Sequence, residues 1–98
     1  MRIIDDHIHC GNNKKTKFFD LEDIRQNLMD ANAQGAVIFA FPEDIYRIES
    51  TYQSRMKANE YTLEISKIED IILYPFYFVW NDYIIPDNLS DYAGIKWH

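Results

Sequence analysis

The order of short apolar segments is the feature that most constrains how this sequence can fold. Four segments read as strands, because they are rich in β-branched and aromatic residues. They lie at residues 2–9, 36–41, 71–80 and 93–98. Helix-like stretches near 20–34 and 51–67 separate the first three, and a short connection precedes the fourth. Such alternation is typical of a parallel sheet joined by right-handed crossovers, so the sequence predicts an α/β fold.

The first helix carries signals for both of its ends. Asp20 can cap its N-terminus, and Glu22 and Asp23 place negative charge in the first turn, where the helix dipole favours it. Gly35 is expected to end the helix before the second strand begins. The apolar face is expected from residues three or four apart. Its members are Leu21, Ile24, Leu28 and Ala31.

The second helix and third strand supply the rest of the expected core. Pro75 lies inside the strand, and because proline lacks an N–H, we expect this strand to start late or to contain a bulge. The candidate packing residues of the second helix are Tyr52, Met56, Tyr61, Leu63 and Ile65. The aromatic residues expected in the core of the third strand are Tyr74, Phe76, Tyr77, Phe78 and Trp80.

Charge and composition exclude several classes of protein. Sixteen acidic residues against ten basic ones give a net charge of −6, which argues against binding to nucleic acid. Cys10 is the single cysteine, so no internal disulfide can form and a reducing compartment is favoured. Acidic residues near the N-terminus interrupt any signal peptide, and the apolar run at 71–80 is too short to cross a membrane. We therefore expect a cytoplasmic protein without nucleic-acid or membrane partners.

Two histidines end the first strand in the segment IIDDHIHCG at 3–11. Because side chains alternate across a strand, His7 and His9 are expected on one face, together with Asp5. Two such imidazoles can bind one cation, and zinc, manganese, iron or nickel would accept them. Their place at the carboxyl end of a strand adds weight, since active sites of parallel α/β folds form there. Gly11 lets the chain turn away.

The last residues, GIKWH, supply a second candidate group. Lys96 and His98 are expected on one face of the fourth strand, with Ile95 and Trp97 on the other. Lys96 could be neutral, pair with a substrate anion or, when carbamylated, bridge metals. His98 could be a ligand, a proton carrier or a substrate contact. The alternative is a strand-end lysine and a solvated terminal histidine.

Other polar residues receive structural interpretations. Cys10 is read as a small buried thiol rather than a nucleophile. Asp5 could orient one imidazole, whereas Asp6 points the other way. Asn59 and Glu60 are read as solvated helix residues.

These motifs together resemble the amidohydrolase superfamily, and within it the amidohydrolase-related branch. In the first strand, an aspartate and one further residue precede His-x-His. The segments AVIFAF and ANEYTLEISK and the apolar third strand then follow in the family's order, and GIKWH comes late in the chain. The resemblance implies the N-terminal half of a TIM-type (β/α)8 barrel, with about four parallel strands and intervening helices in a single partial domain, 1–98. It also implies a divalent metal, zinc first among them.

On this resemblance His7 and His9 match the family's paired metal ligands, and Lys96 and His98 are the catalytic candidates. The implied activity is hydrolysis, or decarboxylation, of a small carbonyl-containing substrate by metal-activated water. The family's later histidine and aspartate come from strands beyond the fourth, so the chain is expected to hold an incomplete site. A half-barrel also exposes sheet edges and an inner face, which favours homo-oligomers.

Two non-catalytic alternatives stand beside the hydrolase. One is an inactive, truncated α/β fragment that associates with itself or with a missing half. The other is a small open-sheet binding module in which the histidines are incidental.

Overall fold

The computed structural model describes residues 4–11, 20–40, 52–79 and 84–97, and in these ranges strands alternate with helices as predicted. In chain order the elements are β1 (Ile4–His9), α1 (Leu21–Asp30), β2 (Gly35–Phe39), α2 (Tyr52–Ile65), β3 (Ile72–Val79), a 3₁₀ turn (Leu89–Asp91) and β4 (Gly94–Trp97). Neither described helix has the length and apolar character needed to cross a membrane.

The four strands form one parallel sheet in the order β1-β2-β3-β4. Both helices lie on the same face of this sheet, because residues of α1, α2 and the first three strands share one buried cluster. Its buried members are Ile8, Cys10, Ile24, Leu28, Ala36, Ile38, Ile65 and Leu73. The predicted α/β class with four parallel strands is confirmed.

The start of α1 follows the sequence prediction. Asp20 caps the helix by accepting a hydrogen bond from the Asp23 N–H, and the Asp23 carboxylate accepts one from the Asp20 N–H. This reciprocal pair satisfies two backbone donors that the helix cannot pair internally. Ile24 and Leu28 are buried as predicted, whereas Ala31 is exposed because it lies beyond the last full turn.

The end of α1 differs from the prediction that Gly35 stops the helix. Asn32 adopts the left-handed conformation, with φ of 52°, directly after the C-cap residue. The N–H of the next residue, Ala33, then donates to the Leu28 carbonyl across 2.9 Å. This closing pattern commonly uses glycine, but asparagine also tolerates the left-handed region, so the helix ends at Asp30, five residues before Gly35.

Gly35 is instead required by the sheet. A Cβ at this position would collide with the Ile72 carbonyl oxygen of the neighbouring strand, which cannot move without disturbing the sheet. A Cβ at Gly94 would lie 2.8 Å from the Phe76 ring, which can rotate away. We expect Gly35→Ala to lower the free energy of unfolding by about 1–3 kcal/mol.

The matched variant Gly94→Ala is expected to change stability by less than about 1 kcal/mol, because movement of the ring relieves the contact. Urea denaturation of both variants measures the difference. Equal losses in the two variants would contradict the distinction between a backbone and a side-chain obstacle.

Pro75 does not delay or bulge β3. The strand keeps a continuous register with β2, in which Ile38 is opposite Pro75. The Pro75 carbonyl faces the other side and accepts from the Ala93 N–H across 2.7 Å. Its nitrogen faces that side too, where β4 begins only at Gly94, opposite Phe76. The prediction of a late start or bulge was wrong because the missing N–H faces a place without a strand partner.

The packing predicted for α2 and β3 is confirmed except at Tyr74, which is 41% exposed. Of the predicted packing residues, four are buried and three are partly buried: Leu63, Ile65, Tyr77 and Phe78, and Met56, Tyr61 and Phe76 respectively. The Tyr52 side chain and Trp80 lie outside the described part.

Candidate functional site

The candidate site lies where the strands end, on the face of the sheet away from α1 and α2. Ile8 packs into the core beneath the helices, so the following residue, His9, lies on the opposite face. His9 pairs in register with Phe39, the last residue of β2. Phe78 and Lys96 are paired neighbours near the ends of β3 and β4. The carboxyl edge therefore carries an imidazole, two phenyl rings and an ammonium group.

Phe39 is the contact that joins the two predicted site residues described here. Its ring centroid lies 4.9 Å from that of His9, with the rings tilted by 59°. The Lys96 Nζ lies over the same ring, 5.4 Å from its centroid. The structure thus brings an imidazole from the first strand and an ammonium group from the fourth to one ring.

Lys96 reaches Phe39 by crossing the end of β3. Adjacent strands lie about 4.8 Å apart, so β4 and β2 are separated by roughly 10 Å, and the Lys96 side chain and the Phe39 ring together bridge this distance. Lys96 is partly buried, whereas Ile95 and Trp97 are 49% and 62% exposed on the other face. The alternation predicted for β4 is confirmed for these three residues.

The structure does not describe the side chains of the other predicted site residues. His7 belongs to β1, but its side chain and that of Asp5 lie outside what the structure describes, as does all of His98. The register of β1 also shifts: three steps lead from Asp5 to Ile8, against two along β2 from Ala36 to Ile38. Because of this extra residue, alternation alone no longer assigns Asp5 and His9 to one face.

Among the residues predicted to bind a metal, His9 is the one whose side chain the structure describes. No group of three or more His, Cys, Asp or Glu residues that could hold a metal occurs within the described ranges. His9 fits a zinc or related ion, because its imidazole lies at the carboxyl edge and supplies a nitrogen donor. His7 and His98 would have to complete the set.

Cys10 is buried on the helix side of the sheet, as predicted. Its Sγ lies 3.1 Å from the Thr62 Oγ1, and the Thr62 hydroxyl donates to the Ala58 carbonyl, also across 3.1 Å. Because that hydroxyl has one proton, the thiol must donate to Thr62. Burial raises the pKa of the Cys10 thiol to about 11, so the thiol is protonated at neutral pH and is not a nucleophile.

The raised pKa of Cys10 predicts a loss of stability in alkali. The unfolded thiol ionises near 9.0 and the folded one near 11, so the unfolded chain releases its proton first and stability falls as the pH rises between these values. From pH 8 to 10.5 the parent should lose about 2 kcal/mol more than Cys10→Ser, whose hydroxyl does not titrate. Denaturant unfolding at both pH values measures this, and identical losses would refute it.

Asn59 is a residue whose importance the sequence interpretation missed. It is only 2% exposed, so the expectation of a solvated side chain was wrong. Its Oδ1 accepts from the Phe78 N–H across 2.9 Å, and its Nδ2 donates to the Phe78 carbonyl across 3.2 Å. The neighbouring Glu60 is exposed, as expected.

The amide of Asn59 continues the sheet where β2 has ended. Paired residues of β2 and β3 stop at Phe39 and Phe76, so the Phe78 main chain lies beyond the last β2 partner. The side-chain amide supplies the donor and acceptor that a further strand residue would offer. Asn59 lies three residues after Met56 and four before Leu63, and this helical spacing on the packed face was the available signal.

Two tyrosines, Tyr92 and Tyr77, make further contacts near Asn59 and the end of β3. The Tyr92 hydroxyl donates to the Asn59 carbonyl across 3.0 Å, and burial raises the pKa of Tyr92 to about 12. The two tyrosine rings meet edge to face, with centroids 5.3 Å apart. The Tyr77 hydroxyl donates to the Ile84 carbonyl across 3.0 Å. These contacts fix the end of β3, next to the candidate site.

A scan against protein-family models and searches of the curated proteins and the solved structures found no match to this chain.

Proposed function

We propose that this chain is part of a metal-dependent hydrolase of the amidohydrolase-related type, acting on a small carbonyl-containing molecule in the cytoplasm. The observation that carries the proposal is the convergence of His9 and Lys96 on the Phe39 ring. Residues from the first and the fourth strand meet there, at the edge where parallel α/β enzymes bind their substrates.

The sheet topology supports the barrel part of the proposal. Strands follow one another in the order β1-β2-β3-β4 without reversal, and α1 and α2 cover one face only. Open doubly wound sheets reverse their strand order and place helices on both faces, whereas barrels keep the sequential order with helices outside. The arrangement therefore favours half of a TIM-type barrel over the open sheet.

The residues at the carboxyl edge would have different roles in the proposed reaction. The imidazoles of His7 and His9 would hold the metal, and the bound ion would supply polarisation of a carbonyl or activation of water. Lys96 would place its positive charge near the bound substrate, where it attracts an oxyanion or a carbonyl oxygen. His98 would offer a second polar contact on the same strand. Phe39 and Phe78, both buried, would exclude water beneath them.

A non-catalytic fragment that associates with itself is the second candidate, favoured by the surface of β4. Ile95 and Trp97 expose about half or more of their surface, on the face where helices cover the other strands. An edge strand with large exposed apolar side chains tends to associate. Light scattering combined with a zinc-binding measurement distinguishes the candidates: a chain that self-associates and binds no zinc favours the fragment.

The test of the hydrolase proposal is zinc binding by the parent and by the double variant His7→Ala/His9→Ala. One tightly bound zinc in the parent and none in the variant supports the proposal. Equal zinc content in both proteins would contradict the proposal.

A further inference from the structure

We propose that Phe39 is the positioning residue of this site, which holds the His9 imidazole and the Lys96 ammonium group at a set separation. The inference rests on the proposed function, and it adds a residue that neither the motifs nor the spacing of the sequence singled out. It follows from where Phe39 lies, what its ring touches and how little the ring can move.

Phe39 is held in place from both sides. It pairs with His9 on β1 and with Phe76 on β3, so it lies in the middle of the sheet and not at an edge. Its side chain is 3% exposed, although it is on the face without α1 and α2. A buried ring on a central strand has few alternative rotamers, so groups packed against it inherit its position.

Two of the groups that contact this ring, the His9 imidazole and the Lys96 ammonium group, are those that the proposed chemistry needs. The tilted arrangement with His9, at 4.9 Å between centroids, restricts rotation of the imidazole. The Lys96 Nζ lies 5.4 Å from the ring centroid and is attracted by the negative face of the ring. This attraction favours a lysine conformation that lies over the sheet. The Phe39 ring therefore positions both the His9 imidazole, which is the proposed metal ligand, and the Lys96 ammonium group.

Neighbouring Phe76 provides a matched control. It is the Cα partner of Phe39 on β3 and carries the same side chain, but its ring packs against Gly94 at the start of β4. Removing the Phe76 ring removes a comparable amount of apolar surface from the same face. A purely structural effect of losing a phenyl ring should therefore appear in both variants.

The experiment compares zinc affinity of the parent, Phe39→Leu, Phe39→Tyr and Phe76→Leu by competition with a chelating dye. We expect Phe39→Leu to bind zinc about three- to tenfold more weakly, because an unrestrained imidazole must be ordered on binding. Phe39→Tyr keeps the ring and should restore the parent affinity, and Phe76→Leu should match the parent. Should Phe39→Leu fail to fold, Phe39→Met makes the same comparison with better-conserved volume.

A second readout needs no metal. In the parent the Lys96 ε-methylene protons should be shifted upfield by the Phe39 ring current, and this shift should vanish in Phe39→Leu but persist in Phe76→Leu. Absence of the shift in the parent, or unchanged zinc affinity in Phe39→Leu, overturns the positioning role. If the parent binds no zinc, the proposed function fails by itself, and the ring-current comparison still decides whether Phe39 positions Lys96.

Discussion

Replacing Asn59 by leucine is expected to lower the free energy of unfolding by about 2–5 kcal/mol. Leucine has a similar volume but cannot hydrogen-bond, so the Phe78 N–H and carbonyl both lose the bonds that Asn59 supplies in a buried place. Each buried main-chain group left without such a bond costs about 1–3 kcal/mol. Chemical denaturation monitored by tryptophan fluorescence and circular dichroism measures the loss.

The control for this prediction is the adjacent, exposed residue. Glu60→Gln removes a charge from the solvated face of α2 and should change stability by less than about 0.5 kcal/mol. Native-state hydrogen exchange adds a local readout: the Phe78 amide should exchange faster in Asn59→Leu than amides at the start of β3. A loss below about 1 kcal/mol, or an unchanged Phe78 amide, would show that Asn59 does not fasten the end of β3.

Removing both histidines of the first strand is expected to have the largest effect on metal binding. His7→Ala/His9→Ala should weaken zinc binding by more than about a hundredfold, because loss of groups that merely orient ligands already costs ten- to a hundredfold. His9→Ala alone should account for much of this loss, since His9 is the imidazole at the carboxyl edge. Isothermal titration with zinc at neutral pH measures both variants.

Cys10 is the natural control for the histidine variants. A thiol next to His9 in sequence could itself be suspected as a zinc ligand, but it lies in the core and donates to Thr62. Cys10→Ser should therefore keep the zinc affinity of the parent. A large loss in Cys10→Ser together with none in the histidine variants would move the metal site to the other face of the sheet.

Much of the fold followed from local signals in the sequence. The N-cap residue Asp20, the apolar spacing of α1 and the β-rich segments each depend on interactions between near neighbours, which a sequence displays directly. Parallel pairing followed from alternation of helices and strands. The end of α1 was misplaced because asparagine can do locally what glycine does, and Asn32 was available three residues earlier.

The parts that could not be predicted depend on contacts between distant elements. Pro75 is harmless only because β4 starts one residue later on its free side, and Asn59 is important only because β2 ends before β3 does. The register shift in β1 likewise arises from pairing with β2. A common site for His9 and Lys96 was implied by the family resemblance. The ring that joins them was not, because nothing local distinguishes Phe39 from other core aromatics.

We propose that His7 and His9 hold a metal ion at the carboxyl edge of this sheet. Zinc X-ray absorption spectroscopy of the loaded protein tests it most directly, because imidazole ligands give a distinctive multiple-scattering pattern. We expect at least two imidazoles at about 2.0–2.1 Å from zinc in the parent and fewer in His9→Ala. A zinc spectrum without imidazole, or one that His9→Ala leaves unchanged, would contradict it.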